Sequence, residues 1–150
     1  MEPTPSQTVG PFFGFAMPFE GDAHAVEPST GGAVLVEGQV LDGAGDPVPD
    51  ALLEAFDSER FARCRTDSEG VFHFTVGRTD HLEVFVFARG LLRHLATRMY
   101  FPDTDLSDDP LLQLVEPERR HTLIAVPTEG GLRFDIHLQG EDETVFFQLS

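Results

Sequence analysis

The fold is decided by one stretch, HLEVFVFARG at residues 81–90, and by its return, LATRMYF at residues 95–101. Residues 84–87 are apolar and alternate between β-branched and aromatic side chains, which is typical of a strand covered on both faces. We therefore predict that this strand lies in the centre of a sheet. The run ends at Arg89, whose guanidinium is costly to bury unpaired. We expect Arg89 at the edge of a cavity, facing an anion or a partner.

Further strand signals, separated by turn signals, follow one another from residue 34 onward. The DDP sequence at residues 108–110 predicts one short helix over residues 111–115, with proline in its first turn. Short strands with turns every 8–12 residues indicate an all-β fold, an antiparallel β-sandwich. Besides the central pair, we predict strands at residues 34–41, 51–56, 71–76, 121–126, 132–138 and 144–149.

Residues 1–30 have a different composition, with five prolines that exclude a helix and a long central strand. Four phenylalanines and Met17 lie among these prolines, and such side chains are unfavourable in water. We therefore predict an extended arm at residues 1–30 that docks on its own domain or on another chain. Residues 31–150 form the predicted β-sandwich domain.

The composition limits the partners and the compartment. The 150 residues include 26 acidic side chains against 10 basic ones, all of them arginine, and the net charge is -16. This charge opposes binding to nucleic acid or to an anionic membrane. A single cysteine, Cys64, cannot form an internal disulfide, and no signal sequence or apolar run of membrane length is seen. We predict a soluble cytoplasmic protein; a salt-rich host, a basic partner or solubility alone would each explain the acidity.

Few residues indicate chemistry on their own. Six histidines are present, and His81 with Glu83 could hold a divalent ion on one face of a strand. No second pair with ligand spacing accompanies them, so we predict no metal bound by this chain. The sequence also lacks the Gly-x-Ser-x-Gly motif of serine hydrolases, and we predict no catalytic residue in this chain.

Both ends of the chain resemble the intradiol ring-cleavage dioxygenases, and shorter matches follow in order between them. The match spans nearly the whole chain, but the loops between Phe56 and Thr66 and before His81 are shorter here. The matching segments are TPSQTVGPFF at 4–13, VEGQVLD at 36–42, FARG at 87–90, TRMYF at 97–101, ERRHTLIA at 118–125 and RFDIHLQGEDETVFF at 133–147.

The resemblance implies a member built from related α and β chains in a hetero-oligomer. In such members Fe(III) is held by two tyrosines and by the histidines of a His-x-His motif. The reaction opens protocatechuate with O2 to give 3-carboxy-cis,cis-muconate, a step of the β-ketoadipate pathway of aromatic catabolism. This sequence has one tyrosine, Tyr100, and Glu83 where the second histidine would stand. The resemblance therefore implies the α chain, with the iron in the partner β chain.

The resemblance also implies which residues reach the pocket of the partner. They are Thr8, Gly10, Pro11 and Phe12 of the arm, and Arg89. The family often has tyrosine where Phe12 stands. An alternative for Arg89 is a pair with an acidic residue at the subunit interface.

Two other hypotheses remain open at the level of the whole chain. Residues 42–51 and 66–74 also resemble a transthyretin-like or carboxypeptidase-regulatory-like domain, which would be a non-enzymatic β-sandwich binding module. The other hypothesis is a stand-alone metalloenzyme that uses His81, Glu83 and His94.

Overall fold

The computed structural model describes residues 4–5, 10 and 13–148 as two packed sheets. The first sheet has the strand order β4-β1-β8-β7, with β9 also paired to β1, and the second has the order β3-β2-β5-β6. The all-β sandwich is confirmed, but the first sheet is mixed because β8 and β9 run parallel to β1. The elements are α1 (Phe13–Ala16), β1 (Ala33–Leu41), β2 (Leu52–Phe56), β3 (Phe61–Arg65), β4 (Val71–Gly77), β5 (His81–Phe87), β6 (Leu95–Tyr100), α2 (Pro110–Gln113), a 3-10 helix (Pro117–Leu123), β7 (Val126–Pro127), β8 (Leu132–Arg133) and β9 (Ile136–His137).

Strand β5 lies between β2 and β6, so its central position is confirmed. Its alternate residues Leu82, Val84 and Val86 are buried in the core. The prediction that both faces are covered is wrong in part, because the other face is only half-buried. This face points away from the first sheet, and Phe85 gains its cover from neighbouring rings, including Phe56 at a centroid distance of 5.0 Å.

The first sheet depends on a close approach between β1 and the segment that carries β8 and β9. A Cβ atom at Gly38 would lie 1.8 Å from the carbonyl oxygen of Phe134, so only glycine fits here. The single strand predicted at residues 132–138 is divided, because the Asp135 carboxylate accepts the Gln39 amide at 2.9 Å in place of a ladder bond. Phe134 and Ile136 are buried, whereas Arg133, Asp135 and His137 beside them are half-exposed.

Two predicted strands are wrong. Residues 117–123 form a 3-10 helix instead of the start of a strand, and the Thr122 hydroxyl donates back to Arg119 O at 2.9 Å. Residues 144–148 make a single bridge between Phe147 and Ala96. There the Thr97 hydroxyl donates to Val145 O at 2.8 Å, a carbonyl that a strand would use in its ladder.

Helices occur in one predicted and two unpredicted places. The helix predicted over residues 111–115 is found as α2, capped by Asp109. It is not the only helix, since the 3-10 helix and α1 are also present. The prolines of the arm do not prevent α1, because a four-residue turn fits between Pro11 and Pro18. In the part of the chain that the structure describes, no helix is long and apolar enough to cross a membrane.

The described part of the arm contacts the edge strands of both sheets. The Arg63 amide of β3 donates to Asp22 O at 2.6 Å, and the Ala25 amide donates to Thr75 O of β4 at 2.8 Å. Between these contacts Ala23 is buried in the core. Residues 22–25 thus satisfy backbone groups at two strand edges that would otherwise be free to pair with another chain.

Candidate functional site

The first group of candidate residues lies at the start of β5 on its outer face. Glu83 of β5 and Arg98 of β6 are direct cross-strand partners. Arg98 Nε donates to Glu83 Oε1 at 3.0 Å, and a second guanidinium nitrogen pairs with the same oxygen. The Arg98 side chain is only 17% exposed, so this charge is largely withdrawn from solvent.

A second layer of contacts connects this pair to α2. Arg98 Nη1 donates to the Tyr100 hydroxyl at 3.3 Å, and this hydroxyl donates to Asp109 Oδ1 at 2.8 Å. Asp109 also accepts the Leu112 amide at 2.7 Å, which caps α2, and lies 3.6 Å from Arg98 Nη1. We call Glu83, Arg98, Tyr100 and Asp109 the Arg98 network. It fixes the helix to the outer face of the second sheet.

The environment of the Arg98 network sets the protonation of its members. Burial raises the pKa of Tyr100 to about 12. Burial also disfavours the charged form of Asp109, but hydrogen bonds from Leu112 and Tyr100 and the charge of Arg98 outweigh it and lower the pKa of Asp109. Burial and the same guanidinium lower the pKa of His81 below its usual 6.5. At neutral pH His81 is thus uncharged, and its 3.7 Å approach to Glu83 is not an ion pair.

These residues do not fit the iron that the resemblance implies. The positive charge between Glu83 and Asp109 is already supplied by Arg98, which would repel a cation. The Tyr100 hydroxyl already accepts from Arg98 and donates to Asp109, so its oxygen is engaged within this chain. Across residues 4–5, 10 and 13–148, no three His, Cys, Asp or Glu side chains are arranged to hold a metal ion.

The structure does not assemble the stand-alone metal site either. The His94 ring lies over Phe85 and Phe87, at centroid distances of 4.7 and 5.3 Å. It is therefore an apolar contact on the outer face of β5. Among the described residues, His81, Glu83 and His94 therefore do not come together as one metal site.

The second group of candidates lies beyond the other end of β5. The Arg89 side chain is 68% exposed, and its Nε lies 2.6 Å from Asp50 Oδ2. Its acidic partner is thus in its own chain. Gly10 has a φ of 74°, a left-handed conformation that favours glycine. Thr8, Pro11 and Phe12 lie outside the described residues.

A broad groove is lined by Ala88 and Leu91, on either side of Arg89 and Gly90 in the chain, and Arg89 itself is not among its lining residues. Its volume is about 1200 Å³, and it lies between the connection that follows β5 and the C-terminal segment. Its apolar walls include Phe87, Leu91, Leu92, Phe146 and Phe147. The Arg89 end of β5 is thus open, whereas the His81 end is filled by the Arg98 network.

No local sequence pattern marks Asp50, Arg98 and Asp109 as partners of the candidate residues. The information that connects them is the strand register. In β5 and β6, Glu83 faces Arg98. In β2 and β5, Leu52 faces Phe87, and continuing this pairing by two residues places Asp50 opposite Arg89. Opposite charges at facing positions are a common way to stabilise a sheet.

Three curated relatives of this chain are named as alpha or beta chains of protocatechuate 3,4-dioxygenase. No family model matches the chain. The protocatechuate 3,4-dioxygenase alpha chain of Burkholderia cepacia is 36% identical and covers 99% of this chain and 98% of the relative. The alpha chain of Pseudomonas putida is 33% identical, with 96% and 95% covered. The beta chain of Burkholderia cepacia is 28% identical over 76% of this chain and 67% of its own length.

The alignment also shows that this chain is shorter than its relatives. It runs over 194 positions and the chain has 150 residues, so gaps fall in this chain. The structure shows short connections where the sequence analysis expects shortened loops. Only residues 57–60 separate β2 from β3, and only residues 78–80 separate β4 from β5.

Solved structures with the same architecture are dioxygenases. The dioxygenase domain of a dioxygenase carbohydrate-binding fusion from Streptomyces sp. SirexAA-E has a TM-score of 0.61 and 25% identity, with 93% of this chain and 99% of that chain covered. Catechol 1,2-dioxygenase from Pseudomonas arvilla C-1 shares the fold, with a TM-score of 0.55, 20% identity, and 78% and 55% covered. With 36% identity to a relative over almost the full length of both chains, this chain belongs to the protocatechuate 3,4-dioxygenase alpha chains, within the intradiol dioxygenases.

Proposed function

We propose that this chain is the iron-free α subunit of an α/β protocatechuate 3,4-dioxygenase and completes the substrate pocket of its β partner. The enzyme cleaves protocatechuate with O2 to 3-carboxy-cis,cis-muconate. The observation that carries the proposal is the Arg98 network. In this network the Arg98 guanidinium occupies the position between carboxylates where a metal ion would need to bind, and Tyr100, the only tyrosine, donates a hydrogen bond to Asp109. A chain of this family without a ferric donor set needs a partner that has one.

The β chain supplies the metal chemistry in this proposal. Fe(III) bound there withdraws charge from the catecholate and prepares it for reaction with O2. The related beta chain of Burkholderia cepacia supports an α/β hetero-oligomer. Apolar side chains exposed in the single chain, such as Leu92 at 64% and Leu114 at 82%, are compatible with contact surfaces for another chain.

Arg89 has the chemistry to orient the substrate. Protocatechuate bound as a catecholate carries a carboxylate and phenolate oxygens, and a planar guanidinium can donate two hydrogen bonds to such groups. The 68% exposure of Arg89 leaves it free to reach into a pocket on another chain. The arm residues Thr8, Gly10, Pro11 and Phe12 are proposed to form the wall beside it.

The binding-module hypothesis has no comparable support. The relatives and solved structures named above are dioxygenases or chains of one. We therefore do not carry the transthyretin-like or carboxypeptidase-regulatory-like hypothesis further.

Co-expression with the neighbouring open reading frame, which under this proposal encodes the β chain, tests the proposed function. We expect the purified pair to contain iron and to consume O2 with protocatechuate, while this chain alone does neither. Deleting residues 1–12 should impair the pair and leave the circular dichroism spectrum of the sandwich unchanged. Stoichiometric iron and dioxygenase activity in the lone chain would contradict the proposal.

A further inference from the structure

The Arg98 network fixes α2 to the second sheet, whereas the ion pair between Arg89 and Asp50 attaches no helix to the sheet. It lies at an exposed sheet end, and its arginine side chain is 68% exposed. Arg89 follows β5 and precedes Gly90, which has a φ of 88° at the start of the connection to β6. A free arginine in such a place loses side-chain entropy when it is fixed. An arginine that orients a ligand from this position needs a second group to hold it.

Asp50 stands on a rigid base. The next residue, Ala51, is 0% exposed, and its amide donates to the Thr66 hydroxyl at 3.0 Å. That hydroxyl donates to Val48 O at 2.8 Å, so the chain is anchored on both sides of Asp50. The Asp50 side chain is 26% exposed, much less than that of Arg89. The backbone at Asp50 is therefore a fixed base for its ion pair with the guanidinium.

The contact engages one edge of the guanidinium. Asp50 Oδ2 lies 2.6 Å from Nε, the nitrogen nearest the aliphatic stem. Among the described residues no second acidic side chain pairs with Arg89. The Nη atoms lie farther out and remain available to an anion that approaches from outside the chain. A group bound at Nε limits rotation of the guanidinium plane without covering its outer end.

We propose that Asp50 is a positioning residue, which holds Arg89 Nε so that the two Nη groups face the carboxylate or the catecholate oxygens of the substrate in the partner's pocket. This inference rests on the proposed function. Asp50 does not touch substrate and acts only through Arg89. Its loss therefore loosens the orientation of a charge that is still present.

Steady-state kinetics of the assembled α/β enzyme test the inference. Asp50→Ala should lower kcat/KM for protocatechuate about tenfold, because a loosely held group is misplaced in part of the bound complexes. Asp50→Asn should recover part of the loss, since the amide oxygen still accepts from Nε. Catechol, which lacks the carboxylate, separates the two anionic groups: a smaller effect of Asp50→Ala with catechol assigns Arg89 to the carboxylate, and an equal effect assigns it to the catecholate oxygens.

A double-mutant cycle makes the test specific. In the Arg89→Ala background, Asp50→Ala should have no further effect on kcat/KM. Asp103→Ala is the matched control, because it removes another exposed carboxylate that pairs with an arginine, Arg78, and should leave the kinetics unchanged. An Asp50→Ala loss that persists without Arg89 overturns the inference and indicates a structural role.

The remaining outcomes separate the inference from the proposed function. If Arg89→Ala lowers kcat/KM and Asp50→Ala does not, the inference alone is wrong. If Arg89→Ala leaves an active pair unchanged, the pocket role of Arg89 is wrong and the inference fails with it.

Discussion

Two arginines at opposite ends of the β5–β6 hairpin have opposite surroundings. Arg98 is 17% exposed and contacts Glu83, Tyr100 and Asp109. Arg89 is 68% exposed and pairs with Asp50 alone among the described residues. The same side chain is therefore a closed structural element at one end and an accessible charge at the other. Exposure and the number of partners, not residue type, distinguish a residue that holds the fold from one available to a ligand.

The register explains why the two ends differ. Glu83 and Arg98 face each other within the ladder between the central strand β5 and its neighbour β6, and α2 covers them through Asp109. Arg89 lies past the last residue of β5, and its side chain is 68% exposed. At this end Arg98 already pairs with both carboxylates, Glu83 and Asp109.

Removing Arg98 should have the largest effect. Arg98→Ala leaves Glu83 and Asp109 without their shared positive charge, and we expect a loss of about 2–4 kcal/mol in the free energy of unfolding. The measurement is urea denaturation followed by circular dichroism. Arg89→Ala is the control and should cost less than about 1 kcal/mol, as exposed ion pairs do. Equal losses in the two variants would remove the contrast between the ends.

Removing Arg89 should affect catalysis instead. In the assembled enzyme, Arg89→Ala should lower kcat/KM for protocatechuate. The loss should correspond to about 1–3 kcal/mol of transition-state stabilisation, because a charge-assisted hydrogen bond is lost. The melting temperature of the pair should not change. Arg89→Lys keeps the charge without the planar fork and should recover only part of the activity. A variant with unchanged kinetics would leave Arg89 as part of a surface ion pair only.

Patterns in the sequence predicted the parts of the fold that depend on local signals. The apolar run at residues 84–87 gave the central strand, and Asp109 before Pro110 gave the cap of α2. The strand predicted at residues 121–126 is wrong because residues 117–123 form a 3-10 helix. The strand predicted at residues 144–149 is wrong because the Thr97 hydroxyl uses the Val145 carbonyl that a ladder would need. Apolar content alone does not reveal that competition.

The candidate site was predictable only in its individual residues. Arg89 was noticed because a charge follows an apolar run, but its partner Asp50 is 39 positions away in the chain and meets it through the register. Arg98 was overlooked because a charged residue in an alternating strand normally points to solvent. Here α2 lies above it, and the position of that helix is a tertiary feature that no local pattern encodes.

The pH dependence of stability should come from the Arg98 end, and it should be modest. His81 has a pKa below 6.5 in the folded chain, so the unfolded chain binds the proton more tightly. Its contribution to stability is complete above pH 6.5 and is lost as the pH falls from there toward the folded pKa. Asp109, also lowered, contributes above its usual 3.8 and loses that contribution as the pH falls through its folded pKa.

The variant that isolates this effect is His81→Gln. Urea midpoints measured from pH 7.5 to pH 5 should fall less steeply in His81→Gln than in the parent chain. His73→Gln, at an exposed position on β4, is the matched control and should retain the parent slope. Parallel curves for His81→Gln and the parent would show that His81 titrates as it does in the unfolded chain.

The smallest expected effect is a change in the pKa of Tyr100, which reports directly on the Arg98 network. Tyr100 is the only tyrosine and the chain has no tryptophan, so the absorbance of tyrosinate at alkaline pH reports on this residue alone. In the lone chain it should titrate at about 12, with circular dichroism at each pH to verify that the fold persists. Asp109→Asn should lower that pKa, because the phenolate would no longer form beside a carboxylate, whereas Asp103→Asn should not. A folded chain whose tyrosine titrates at its usual value of 10.0 would mean that this end of β5 is open to solvent. The contrast with the Arg89 end would then be lost.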